Sequence, residues 1–382
     1  MPARARLVAL TLFTAAPLLC SACNERAAPA DERISWTIEP IPLLEISDDD
    51  PGGEVQLGAA AHVTRLPDGG VLVSDRGLHS LRFFGPDGRF RRSVGRQGSG
   101  PGEFEYIRVA YRCSDSLFVE DIVGRRVTVY ALDGTLARTL STSEFAGGTD
   151  AYHSACNGHG VFVHHAWGRF DPTTRGRHRE PVAVWLTSAA GARVAALDSV
   201  AGQEYVGVGN GAPRALLRRT PHLAIGRRHV YVGSADSGAV QVYTLDGTPA
   251  GVRTLPHADL RASPADLERA KRLDTLGQDA ATQAQMRSDW ALDTPPSTLP
   301  AYDALIVDYD DHLWVRRHPV AGQKATPWIV FDPDGAHVAT VALPAILTVH
   351  EIGRDYIAGI VLDPETGRHA VRVVALSRSA AR

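Results

Sequence analysis

The chain has 382 residues, a formal net charge of -3, 44% hydrophobic residues, 36 Gly and 24 Pro. That balance excludes a general attraction to nucleic acid or anionic lipid, and it supplies enough apolar residues for a large core with many turns. Of the 40 basic residues only Lys271 and Lys324 are lysines, so arginine carries nearly all the positive charge.

At the N-terminus Arg4 and Arg6 precede the apolar run Leu7–Leu19, which is too short to span a bilayer and has the charge order of a secretory signal. Residues 1–23 are therefore expected to be an export signal. The run ends in Ser21-Ala22-Cys23, which resembles the cleavage site of bacterial lipoproteins, although Cys20 stands where that signal usually has Leu. The resemblance implies that Cys23 is lipid-modified and that the protein meets the membrane through this anchor alone. Asn24 replaces the Asp that retains many lipoproteins at an inner membrane, which points to the outer membrane or the periplasmic face of the envelope. Residues 24–32 read as a flexible tether, and residues 33–382 as the folded domain.

The strand-like segment Arg33–Ile46 is expected to pair beside the final strands, Tyr356–Val361 and Ala370–Leu376. Along the chain six β-runs end in similar turns: Phe83–Gly88, Val129–Gly134, Val184–Gly191, Val242–Gly247, Val330–Gly335 and a degenerate Val373–Arg378. A unit of roughly 45 residues recurring this often marks a circular array, because one small sheet cannot bury both faces alone. A polar turn and an alternating strand precede each run, as in Asp68–Asp75, Ser114–Asp121, His159–His165, Arg228–Asp236, Asp310–Arg317 and Arg354–Asp363. The expected fold is all-β: a six-bladed β-propeller of four-stranded antiparallel blades. Blades three and five have longer spacings, read as decorated hairpins. The longest, His164–Pro181, carries Trp167 and Phe170 as a candidate stacking platform.

At Gly95–Ile107 (GRQGSGPGEFEYI), followed by LFVED and VTVYALDG, the chain resembles an NHL repeat, and the likeness extends over most of the sequence after residue 33. It implies an NHL-like propeller of the bacterial envelope. Gly98, Gly100 and Gly102 permit a loop from the outer edge of one blade to the centre of the next, with Phe104 plugging the gap. The loop lacks the Lys-Ser/Thr ending of a phosphate-binding P-loop and leads into a strand. Related propellers include calcium-dependent lactonases and metal-dependent lyases; the scarcity of Asn and of inner-strand acids argues against the calcium type.

Cys113 and Cys156 close the innermost strands of adjacent blades, a placement that suits a disulfide in an oxidising compartment. Between blades four and five the register breaks for Ser263–Leu292. Ser263 as N-cap, Pro264 at the first helical position, and Leu267, Ala270 and Leu273 at helical spacing predict a helical insertion over about 263–292.

Counting back about nine residues from each second strand gives the channel-lining candidates: His62, Arg108, Tyr152 or His153, Pro221 or His222, Asp303 or Ala304, and Thr348 to His350. The expected binding set is His62, Arg108, His153, His222, Asp303 and His350. Four of these, His62, His153, His222 and His350, would hold a divalent metal in the central channel if they converge. Their offsets differ, however, and a one-residue change turns a strand side chain to the other face. Two functions fit. One is a monomeric module that binds a carbohydrate, peptide or envelope protein; the other is a metal-dependent lyase or hydrolase with a histidine site in the channel.

Overall fold

The computed structural model describes residues 35–47, 57–168, 171, 173–208, 215–363 and 365–379. The signal, Cys23 and the tether lie outside the described residues, as do Phe170 and the His153 side chain.

Blade one comprises Ala60–Arg65, Val71–Asp75, Ser80–Phe84 and Phe90–Val94, paired antiparallel in chain order. Blade two repeats this with Ile107–Cys113, Ser116–Asp121, Arg126–Ala131 and Leu136–Ser141. Blade three is built from Ala151–Cys156, Val161–Ala166, Pro181–Ser188 and Arg193–Ala201, and blade four from His222–Ile225, His229–Gly233, Ala239–Thr244 and Pro249–Thr254. Blade five holds Tyr302–Val307, Leu313–Arg317, Ala325–Phe331 and His337–Pro344. Blade six takes Leu347–Ile352, Tyr356–Leu362 and His369–Ser379 from the end of the chain, and Ser35–Ser47 from its beginning. Each innermost strand contacts the next, and that of blade six contacts that of blade one, so the ring closes.

Burial follows position in the blade. All of Val71–Asp75 is buried, whereas Leu136–Ser141 on the outer edge is largely exposed. The core lies between blades; Leu72 and Phe83 of blade one pack with Ile107 and Leu117 of blade two around a fully buried Phe104. Gly95, at φ +93°, leaves no room for a side chain: a Cβ there would stand 2.5 Å from the Phe104 ring.

The acid ending each of the first two second strands fixes the approach to the innermost strand. Asp75 accepts from the N–H groups of Gly58, Ala59 and Leu78 at 2.8 to 2.9 Å. Asp121 accepts in the same way from Glu105, Tyr106 and Gly124 at 2.9 to 3.0 Å. Burial pushes the Asp121 carboxyl upward, but these donors and Arg126 hold it below its ordinary value.

Two regions differ from expectation. The blade-three excursion does not fold back as its own hairpin: Arg175–His178 pairs with Tyr205–Val208, beyond the blade's last strand. The insertion is two helices, Pro264–Thr275 and Ala280–Trp290, because Gly277 at φ +71° breaks the first and Asp279 caps the second. A capping box between Ser263 and Asp266 starts the first helix.

Candidate functional site

Residues from all six blades line an axial cavity of about 390 Å³, among them His62, Tyr111, Ala155, His222, Asp303 and His350. Five of the six innermost strands carry a register shift, between Ala60 and His62, Ile107 and Val109, His153 and Ala155, Tyr302 and Ala304, and Val349 and Glu351. Arg108, Asp303 and His350 occupy the extra position of such a bulge. A bulge re-aims its side chain: Asp303 and His350 face the axial cavity, whereas Arg108 faces a neighbouring one.

The His62 and His350 rings stack at 4.5 Å between centroids, 4° from parallel. His350 Nδ1 accepts the Val63 N–H at 3.0 Å, leaving its proton on Nε2. Burial pushes His350 down to about 4 and, with His350 and Arg108 nearby, holds His62 well below its usual value. Both imidazoles are thus neutral near physiological pH. His62 Nδ1 is buried without a hydrogen-bond partner among the described residues.

His222 stands apart from this pair. Its ring packs on Tyr302 at 5.6 Å and its Nε2 lies 3.3 Å from the Thr220 hydroxyl. Among the described residues no three His, Cys, Asp or Glu side chains are grouped to hold a metal ion, and the His153 side chain, one of the four expected ligands, lies outside them. His350 Nδ1 is already engaged with backbone, and His222 extends from blade four toward a different partner.

Arg108 is ion-paired with the buried Glu120 and lies 5.8 Å over the Tyr152 ring. It lines a second cavity of about 310 Å³ with Tyr152, His165 and Tyr205, and His222 and Leu223 form walls of both this cavity and the axial one. The opposite end of the axial cavity is barred. Arg112 of blade two donates to the Tyr309 hydroxyl at 2.5 Å, and Tyr309 donates to Glu351 at 2.8 Å. Glu351 also accepts from the hydroxyls of Thr64 and Tyr356 and from the Arg65 N–H at 3.1 Å. Beyond the bar is a separate depression of about 280 Å³ that includes Ser114, Asn157 and Arg354.

Asp303 belongs to two sites, lining both the axial cavity and a cavity of about 630 Å³ beneath the first inserted helix. Burial pushes its carboxyl up to about 6, against the pull of Arg316 and Arg269. Cys113 and Cys156 are joined as a disulfide with their Cα atoms 5.9 Å apart, linking the innermost strands of blades two and three. Trp167, 38% exposed, packs on Tyr152 at 5.5 Å.

The sequence count does not find Tyr111, Arg112, Tyr309, Arg316 or His318. It marks one level of the channel, whereas these residues sit at other levels or on neighbouring strands. The acid-rich run Asp308–Asp311 around Tyr309 is the one local signal, and it is indistinguishable from an ordinary turn.

No family model matches the chain, and no curated protein matches it. Among solved structures 422 chains are similar. A Bacteroides fragilis protein whose name marks it as a candidate for export is 11% identical, with 92% of this chain and 97% of that one covered and a TM-score of 0.49. A DUF4221-family protein from Bacteroides vulgatus is 9% identical over 91% of this chain and 100% of its own, also at a TM-score of 0.49. Virginiamycin B lyase from Staphylococcus aureus is 11% identical over 90% and 99%, with a TM-score of 0.38. The fold assignment rests on the blades themselves, and no residue role is carried over from these chains.

Proposed function

We propose that the chain is an exported, NHL-like propeller, tethered to the cell envelope through Cys23, that acts as a binding module for a small polar ligand of the carbohydrate or short-peptide class. The observation that carries this reading is the axial cavity: six blades supply its wall, and the Arg112–Tyr309 contact bars one end. At the other end it shares His222 and Leu223 with the neighbouring cavity. Pockets of this kind, with a few placed polar groups on a rigid frame, are the usual form of small-ligand sites.

Binding without chemistry accounts for the state of the polar groups. Glu351 is occupied by four donors, His350 by a backbone N–H, and Arg112 by Tyr309. Such groups are rigid and fixed in orientation, which favours recognition over proton transfer. The signal sequence and the Ser21-Ala22-Cys23 site support export and anchoring.

The test is native mass spectrometry of the purified full chain against oligosaccharide and short-peptide panels, with His222→Trp filling the end of the cavity that adjoins its neighbour. One ligand should bind with unit stoichiometry and weaken by about tenfold or more in a variant with unchanged melting temperature. No ligand from either panel, or binding indifferent to the Trp, overturns the proposal.

A further inference from the structure

The cavity beneath the helical insertion has the chemistry of a second site, separate from the axial one. The first inserted helix forms its roof through Arg269, Arg272 and Leu273, and blades five and six form its floor through Arg316, His318, Ile346 and Leu362. Its volume of about 630 Å³ is ample for a ligand of ten to fifteen heavy atoms. The wall is divided. One part is apolar, where Leu216, Leu217 and Leu362 join Leu273 and Ile346, which are left 41% and 44% exposed. The other part is cationic: among the described residues four arginines line the cavity against two aspartates, a surplus of two positive charges with His318 neutral.

At the polar end, three buried atoms lack a hydrogen-bond partner among the described residues: Asp303 Oδ1, Arg316 Nε and His318 Nδ1. They gather around one point without satisfying one another, since Arg316 Nε is 3.6 Å from Asp303 Oδ1 and His318 Nδ1 is 3.9 Å from Asp303 Oδ2. Arg316 is held from behind by the Ala345 carbonyl at 3.0 Å, and Arg269 by that of Pro319 at 3.4 Å. Buried polar atoms without a hydrogen bond cost stability and are uncommon unless something fills the gap, and of these three Arg316 Nε and His318 Nδ1 are the ones that can donate to an anion. An excess of guanidinium beside an exposed aliphatic wall selects an anion with an apolar body.

From this arrangement we infer that the cavity beneath Pro264–Thr275 binds an amphiphilic monoanion, an alkyl or aryl carboxylate, with its head group at Arg269, Arg316 and His318 and its apolar body against Leu273 and Ile346. The insertion is then a ligand-bearing roof and not a neutral loop extension.

Sodium decanoate is the probe, titrated calorimetrically into the purified full chain, with acetate and decanol as comparisons. Decanoate should bind with unit stoichiometry, and acetate and decanol about tenfold more weakly or worse. Arg269→Gln, which removes a head-group cation, and Leu273→Asp, which places a carboxylate on the half-exposed wall, should each weaken decanoate by about tenfold with unchanged melting temperatures. His222→Trp, which fills the axial cavity, should leave decanoate binding as it is. Absence of saturable binding, decanol binding as tightly as decanoate, or equal affinity in wild type and both roof variants overturns the inference. So does loss of binding in His222→Trp with retention in Leu273→Asp, which would move the anion to the axial site.

Discussion

Arg112 and Tyr309 are 197 positions apart in sequence, yet the guanidinium of one donates to the hydroxyl of the other at 2.5 Å, across the propeller axis from blade two to blade five. Opposite blades rarely have another means of direct contact, because each packs on its two neighbours. The Arg112 guanidinium also lies 5.6 Å from the centre of the Tyr309 ring. Burial and the adjacent Glu351 push the Tyr309 hydroxyl up to about 12, so it stays a proton donor to Glu351 throughout the physiological range. A double-mutant cycle of Arg112→Ala and Tyr309→Phe should give a coupling of about 0.5–1.5 kcal/mol, near the lower end because Tyr309 is partly exposed. Additive stabilities in urea unfolding would show that the bar is not energetically formed.

The buried histidines set the response to acid. Burial pushes His164 down to about 3 and His165, His222, His318 and His350 to about 4. Over the window from their ordinary value of 6.5 down to about 4, the unfolded chain binds protons that the native chain refuses. Stability is therefore lost as pH falls through that window, by on the order of several kcal/mol between neutral pH and about pH 5. Urea midpoints that are level across this range would refute it. His164→Gln should reduce the slope, since His164 is fully buried and its ring nitrogen meets Thr187 at 2.6 Å.

Asp303 has the opposite sign. With its carboxyl raised from 3.8 to about 6, the native state holds a proton that the unfolded state has released, so this residue's contribution falls as pH rises through that interval. Near neutrality the buried charge is a standing cost. Asp303→Asn keeps the shape of the protonated acid and should stabilise the chain by about 1–3 kcal/mol at neutral pH, with little effect near pH 4. A loss of stability at neutral pH would mean that pairing with Arg316 outweighs burial.

The repeat is legible in the sequence because its markers are local. A turn such as Val129–Gly134 and an alternating strand such as Ser116–Asp121 are dictated by neighbouring residues, and the offset of 13 from Leu117 to Tyr130 leaves room for one hairpin. The same holds for the Ser263 cap and Pro264. Closure through Ser35–Ser47 was also readable, since a lone strand upstream of a ring has one vacant edge to fill. The site was legible only in part. Counting placed His62, His222, Asp303 and His350 around the axis, and the cavity includes all four. It could not say that His350 sits on a bulge stacked on His62 while His222 turns to Tyr302. Bulges are settled by packing between strands, and the Arg112–Tyr309 bar by ring geometry; neither leaves a mark in local spacing.

Cys113 and Cys156, 43 positions apart, tie blades two and three at their innermost strands. Closing a loop of that size restricts the unfolded chain by about 4 kcal/mol in the chain-entropy account. Cys113→Ser with Cys156→Ser should lower stability by about that amount, and a reductant should lower the wild-type melting temperature to that of the variant. If reductant shifts neither protein, the two sulfurs do not form a bridge in solution.

Ring closure depends on pairing a strand from the beginning of the chain with one from its end. Ser35–Ser47 pairs with His369–Ser379 through two register shifts, around Ile38, Pro42 and Leu44, so hydrogen bonding alone is an imperfect clasp. Trp36 compensates. It is 7% exposed, its ring is 5.4 Å from Trp314 of blade five and 5.1 Å from His312, and the Arg378 guanidinium covers it at 4.6 Å. The residue thus ties blade six to its neighbour as well as to its own third strand. Trp36→Ala should cost about 3–5 kcal/mol, the range for a buried aromatic that leaves a cavity. The cost should appear first at the closure: amides of Val371–Leu376 should lose hydrogen-exchange protection before those of Val71–Asp75 in blade one. Uniform loss across all blades would show instead that the ring opens only by global unfolding, with Trp36 no more a clasp than any other core side chain.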